Sequence, residues 1–243
     1  MNKYKLSEET LEIDGHVLHR IIALRDFGNV KKGDLGGFIE KESNLDHDWN
    51  CWIYNDAKVY SNAMVYGNAM VYGNAMVCDN AEVRGDAKVY GNAMVYGNAI
   101  VCDDAKVYSN AMVYGNAMVY GNAMVSDDAE VRGDAKVYSN AMVYGNAMVY
   151  GNAEVYGDAM VYGNAMVYGN AKVEKKSDYI VFKNWWSSGR YFTWTRSNDM
   201  WSVGCFYGTG EELIKKAYKD SEEKGREYKR IVKYVELIKS EIK

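Results

Sequence analysis

The sequence predicts a mainly β fold: a parallel β-helix of triangular coils with a small module at each end. Three observations carry this. The stretch from Ala57 to Val173 is one hexapeptide, Ala-x-Val-Tyr-Gly-Asn, written about 20 times without insertion. The third slot is Val in every unit from Val59 to Val173, a β-branched residue suited to an inward strand position. The sixth slot is always Asn or Asp, as in Asp56, Asn62, Asn68, Asp86, Asp104 and Asp158.

One unit, Ala69 to Asn74, shows the logic. Ala69 and Val71 are two apart, so in a strand they point one way while Met70 and Tyr72 point the other. Gly73-Asn74 then turns the chain, because Gly, Asn and Asp accept positive φ at low cost. Each unit is therefore a short strand and a corner. Three units close a coil of 18 residues, so about 20 units give six to seven coils. At ~4.8 Å per coil the prism is roughly 30 Å long. A run this uniform leaves almost no place for a catalytic site and reads as scaffold. The copy of Asn80–Asp86 at Asp128–Asp134, eight units on, supports that reading. Eight is not a whole number of coils, so the copied residues land on another face.

Residues 18 apart stack into outward columns. One column reads Lys58, Met76, Met94, Met112, Glu130, Met148, Met166. Beside it run Tyr60, Cys78, Tyr96, Tyr114, Arg132, Tyr150 and Tyr168. The second face, Met64, Glu82, Ile100, Met118, Lys136, Glu154, Lys172, is more charged; the third begins Met70, Lys88, Lys106, Met124. The first column exposes a contiguous apolar strip, larger than a soluble monomer normally shows. The sequence therefore predicts a homo-oligomer joined through Met76, Met94, Met112, Met148, Met166, Tyr96, Tyr114, Tyr150 and Tyr168. The alternative is that these side chains only shield the strands.

The repeats divide the chain into 1–50, an N-terminal β cap; 51–174, the β-helix; and 175–243, an α+β domain. In the first segment Asp14-Gly15 between two apolar runs marks a hairpin. In the last, Tyr179–Phe182, Tyr191–Arg196 and Met200–Phe206 read as three strands. Thr209 with Glu212 is a capping box for a helix to about Glu223. Gly225 interrupts, and a second helix from about Arg226 carries Tyr228, Ile231, Val232, Val235, Ile238 and Ile242 on one stripe. Both ends are expected to cover the open edges of the coil, with a binding site there left open.

The aliphatic-x-x-x-small-x pattern resembles that of the hexapeptide-repeat proteins, and the resemblance implies a left-handed parallel β-helix. The segment Gly33–Glu40, with Asn44-Leu45 and Trp49 to Tyr54, resembles the start of the YdcK-like hexapeptide-repeat proteins of bacteria and phages, often described as acyltransferases. The C-terminal module resembles domains appended to phage-encoded repeat proteins. These resemblances imply a phage or prophage setting, an acyl-CoA donor if the chain is an enzyme, and threefold assembly.

The chemistry narrows the choice. Acyltransferases of this repeat class use a histidine base. Here His16, His19 and His47 all precede the repeats. No His/Cys cluster has metal-ligand spacing, and no cofactor is expected. Cys51, Cys78, Cys102 and Cys205 form no CxxC pair and read as free thiols. A net charge of −4 without a long basic run argues against duplex nucleic acid. No run approaches transmembrane length and Lys3-Tyr4-Lys5 opens no signal peptide, so a cytoplasmic protein is expected.

The polar-aromatic cluster is C-terminal: Trp185, Trp186, Arg190, Trp194, Arg196 and Trp201, with Tyr191 among them. Trp and Arg together stack on and pair with flat anionic ligands; the other reading is a module core short of aliphatics. The sequence thus points to a non-enzymatic oligomeric scaffold or binding protein, sequestering a small anionic ligand or a host protein in counter-defence. The competing class is a hexapeptide-repeat acyltransferase.

Overall fold

The computed structural model describes residues 2–239 and 241. Ile242, read as part of the second helical stripe, lies outside the described residues. The hexads form a parallel β-solenoid. Its strands β4 (Trp52–Ile53) to β24 (Lys172–Val173) are two residues long, and from β5 (Lys58–Val59) on each is the x-Val pair of one unit. Every third strand stacks at a constant offset: Met94↔Met112 on the first face, Ile100↔Met118 on the second, Lys88↔Lys106 on the third. Every Ala and Val of the repeat is buried. A fully buried Val contributes about 1.5–3 kcal/mol, and the same increment recurs in every unit.

The corner is specified as tightly as the strand. Gly73 has φ +74, and a Cβ there would sit 2.9 Å from the Gly91 carbonyl of the next coil. Where Asp replaces Gly, as at Asp79, its carboxylate accepts the Gly97 amide of the next coil at 2.9 Å. The sixth-slot residues form side-chain ladders, Asn80 Nδ2 donating to Asn98 Oδ1 at 3.1 Å and Asn98 to Asn116 at 2.9 Å.

Coil pairing begins upstream of the hexads. Strand β3 (Leu35–Ile39) pairs in parallel with β5 through Phe38↔Lys58 and Ile39↔Val59, and Leu45 bridges Val65. With β3, eight strands stack in parallel on the first face, so the solenoid makes about eight turns rather than the six to seven of the hexads alone.

The two ends are closed by side chains chosen for the polarity of the ladder. The amides before and after each Val point toward the C-terminal end, as when Met94 N donates to the Ala111 carbonyl at 3.0 Å. The first coil therefore leaves carbonyls unmatched. Lys3 Nζ donates to the Cys51 carbonyl at 2.8 Å, and Tyr4 Oη to the Leu45 carbonyl at 2.7 Å. The hairpin of β1 (Tyr4–Ile13) and β2 (His16–Ala23) turns at Asp14-Gly15 and lays β2 antiparallel on the free edge of β3.

At the other end each of the three faces receives one side-chain hydrogen bond. Tyr179 Oη donates to the Met160 carbonyl at 2.9 Å, Thr193 Oγ1 accepts from Met166 N at 2.9 Å, and Ser197 Oγ accepts from Lys172 N at 2.6 Å. These side chains come from an antiparallel sheet of β25 (Tyr179–Lys183), β26 (Tyr191–Thr195), β27 (Met200–Val203) and β28 (Phe206–Gly208). Its solenoid face carries Tyr179, Val181, Thr193 and Tyr207; its other face carries Phe182, Phe192, Trp194, Trp201 and Val203, packed on two helices.

Three local readings are corrected. Met200–Phe206 is not one strand, because Gly204 at φ +57 turns the chain between β27 and β28. The helix break falls at Ser221, whose extended backbone ends α1 (Gly210–Asp220) and whose side chain caps α2 (Glu222–Ile238). Gly225 lies inside α2, where a Cβ would come within 2.2 Å of the Tyr218 ring. The glycine is there for close helix approach. Among the described residues no helix is long and apolar enough to cross a membrane.

Candidate functional site

The six cluster residues separate into three places. Trp194 and Trp201 are a cross-strand pair, 1% and 2% exposed, in the core between sheet and helices. Only their polar edges approach a cleft of about 300 Å³, lined also by Asn198, Thr209, Glu236 and Lys239. There Trp194 Nε1 donates to Asp199 Oδ1 at 2.7 Å, and Lys239 Nζ pairs with Asp199 Oδ2 at 3.1 Å. The packed indoles offer no ring face to a ligand. The sheet is covered on both sides, so strand alternation does not separate solvent-facing from core-facing residues.

Trp185 and Trp186 sit on the loop between β25 and β26 and are 73% and 76% exposed. Buried Asn184 shapes this loop: its Oδ1 accepts from the backbone N of Trp186 and of Ser187, both at 3.1 Å, and its Nδ2 donates to Ser187 Oγ at 2.8 Å. The adjoining Lys183 ammonium lies 4.1 Å from the Trp185 ring centroid and 4.6 Å from that of Tyr191. Arg190 closes the loop and runs along Gly204, while Arg196 leaves the far end of β26. Six positions at 3.3 Å separate the two arginines by roughly 20 Å, so they do not form one anion clamp. The aromatic-cationic contacts formed here are those of Lys183 with Trp185 and Tyr191, with Trp186 and Arg190 on the same loop. Lys183 was missed in the sequence; alternation in β25 beside a Trp pair was the available signal.

The Met/Tyr face is ordered as a ladder. Tyr96 and Tyr114 stack at 4.7 Å, and Tyr150 and Tyr168 at 4.2 Å. Met76, Met94, Met112 and Met148 are half-buried between these rows, and Met166 is buried under the C-terminal sheet. Glu130 accepts from Tyr114 Oη at 3.0 Å, and the Arg132 guanidinium lies 4.7 Å from the Tyr150 centroid. This charged pair divides the strip in two. Its duplicate, Glu82–Arg84, stands on the second face.

All three histidines are engaged. Glu40 Oε1 accepts from His16 Nδ1 at 2.9 Å, and Glu40 Oε2 takes the Ser61 amide at 2.6 Å. The His16 hydrogen bond has the largest effect on the Glu40 carboxyl and outweighs burial, which raises it; the Ser61 amide adds to the lowering, and the carboxyl is held below its ordinary range. His19 Nδ1 donates to the Ser7 carbonyl at 3.1 Å. His47 Nδ1 accepts from Lys3 N at 3.2 Å, and its ring stacks on Tyr4 at 4.3 Å. Among the described residues no group of three or more His, Cys, Asp or Glu is placed to hold a metal ion.

A family model described as "YdcK Beta solenoid repeat" matches residues 63–79, 87–103 and 111–127, then 141–157, 153–169 and 159–174. The Escherichia coli (strain K12) protein named "Uncharacterized acetyltransferase YdcK" is 40% identical over 67 residues, which cover 24% of this chain and 21% of that protein. The solenoid repeats of this chain are YdcK-like. The family windows fall wholly within the solenoid, so the end modules of this chain stand outside them. The match spans about a fifth of the length of the curated relative.

Proposed function

We propose that this YdcK-like solenoid is a self-associating, non-catalytic binding scaffold. The observation that carries the reading is the unbroken stack of β4 to β24, with a Met/Tyr ladder along one face and no loop leaving it. Copies join through Met76, Met94, Met112 and Met148 and the Tyr rows beside them, Met166 being covered by the C-terminal sheet, as a trimer by analogy with hexapeptide-repeat relatives. The exposed Trp185–Trp186 loop, flanked by Lys183 and Arg190, holds a small anionic ligand or a protein without turning it over. Light scattering on the purified chain tests assembly; a monomer at all concentrations would remove the scaffold reading.

A second reading is favoured by one contact and one name. His16, fixed through Nδ1 by Glu40, has the carboxylate-oriented form a general base takes, and the relative's name says acetyltransferase. Isothermal titration with acetyl-CoA separates the two readings. Saturable binding lost in His16→Ala favours the enzyme; no binding leaves the scaffold.

A further inference from the structure

A lysine and a cysteine meet inside the N-terminal end of the solenoid. Lys3 and Cys51 are both fully excluded from solvent, and Lys3 Nζ lies 3.1 Å from Cys51 Sγ. The amine is held facing the sulfur by the Cys51 carbonyl at 2.8 Å and the Asp48 carbonyl at 3.3 Å. Among the described residues no carboxylate forms an ion pair with Nζ. The Phe27 ring, 5.2 Å away, completes its surroundings. Burying an amine without an anion penalises its charged form, and burial holds Lys3 below the usual lysine range. Burial likewise pushes the Cys51 thiol up. Both groups are drawn toward neutral amine and neutral thiol.

We propose that Lys3 and Cys51 are a covalent modification site, at which a peroxide-class oxidant converts the contact into a nitrogen–sulfur cross-link. Hydrogen peroxide transfers one oxygen to the Cys51 sulfur, giving a sulfenic acid and one water; the sulfur loses two electrons and the O–O bond is reduced. The neutral Lys3 amine then attacks that sulfur. The S–N bond forms, the S–O bond breaks, and the hydroxide leaves with an amine proton as a second water. The sum is thiol plus amine plus peroxide giving a sulfenamide and two waters. Sulfenic acids condense in this way with a nitrogen held beside them. Burial keeps away the thiols that would otherwise capture the sulfenic acid. Cys205 is exposed, and among the described residues no lysine amine lies at hydrogen-bond distance from Cys78 or Cys102. The link closes the chain from residue 3 to residue 51 and ties the N-terminal strand to the first coil.

Cys51 occupies the slot that Ala holds in the hexads, so Cys51→Ala keeps the repeat's own residue and is the control that folds. The full-length folded protein is treated with hydrogen peroxide, its remaining thiols are blocked, and it is digested for mass spectrometry. The expected product joins the Lys3 and Cys51 peptides, two hydrogens lighter than their sum, is reversed by dithiothreitol, and is absent in Cys51→Ala and Lys3→Met. The same pair joined through an interposed oxygen consumes a second peroxide, releases a further water and supports the same site. Recovery of unlinked Lys3, with Cys51 as a free thiol or sulfinic acid after Cys205 is fully oxidised, would overturn the proposal.

Discussion

Thr193 Oγ1 accepts the Met166 amide at 2.9 Å, in the place where the next coil would present an alanine carbonyl. Met148 N, one coil earlier, donates to the Ala165 carbonyl at the same 2.9 Å. A hydroxyl on a foreign sheet thus continues the ladder by one bond and then ends it. The buried threonine explains itself: an aliphatic residue there would leave a buried amide unmatched.

Thr193→Val should therefore destabilise the protein by about 1–3 kcal/mol, the cost of an orphaned buried donor, although the two side chains are nearly isosteric. Thr193→Ser should retain most of the stability. Urea unfolding of the three proteins checks this; equal midpoints would show that the hydrogen bond contributes nothing.

Val113 is fully buried, stacked between Val95 and Val131. Val113→Asp puts a carboxylate inside the prism with no partner and should cost on the order of several kcal/mol. An unchanged melting temperature would contradict the inward packing.

Deleting Ala111 to Asp128 removes 18 residues and rejoins Asn110 to Ala129. Every face keeps its register, so the shortened protein should fold. Deleting 15 residues from the same point shifts the corners against the strands and should leave the chain unfolded or aggregated. Circular dichroism and gel filtration compare the two.

Glu40 gives a pH dependence of defined sign. Its carboxyl is held below the ordinary range first by His16 and then by the Ser61 amide. A depressed folded value means stability that is present above the unfolded glutamate value of about 4.3. That stability is lost as pH falls through the folded value. With the side chain 28% exposed, the contribution is about 0.5–1.5 kcal/mol. Glu40→Gln should be less stable than wild type at neutral pH, with the gap closing in acid. Melts at neutral and acid pH decide; a gap of the same size at both would refute the pairing.

Met94→Glu with Met112→Glu places two carboxylates on adjacent rungs of the Met/Tyr face. Multi-angle light scattering should show the wild type assembled and the double variant monomeric. An assembled double variant would move the interface elsewhere.

The solenoid was legible because a period of six fixes which slots point inward, and Ala and Val fill them in every unit. Its start was not. Phe38 and Ile39 pair with Lys58 and Val59 through backbone groups, which leave no repeat in the side chains. The C-terminal strands and their alternation were legible, but not that both faces are covered: Thr193 and Trp194 are adjacent and both buried, one against the solenoid and one against the helices. The helix break was placed at Gly225 because glycine is a strong breaker. The structure uses Ser221 instead, where the hydroxyl caps the next helix, and spends the glycine on contact with Tyr218. The Lys3–Cys51 contact joins residues 48 positions apart, and no local pattern announces it.

The caps touch only the outermost rungs, and the rungs between them are interchangeable. Gain or loss of a near-identical hexad would therefore act as a vernier on this molecule. Each added unit turns the C-terminal module by a third of a revolution relative to the N-terminal hairpin; each third unit restores the azimuth and lengthens the rod by ~4.8 Å. The repeated Glu-Val-Arg segment, eight units from its original and displaced to a neighbouring face, has the form such a step would leave.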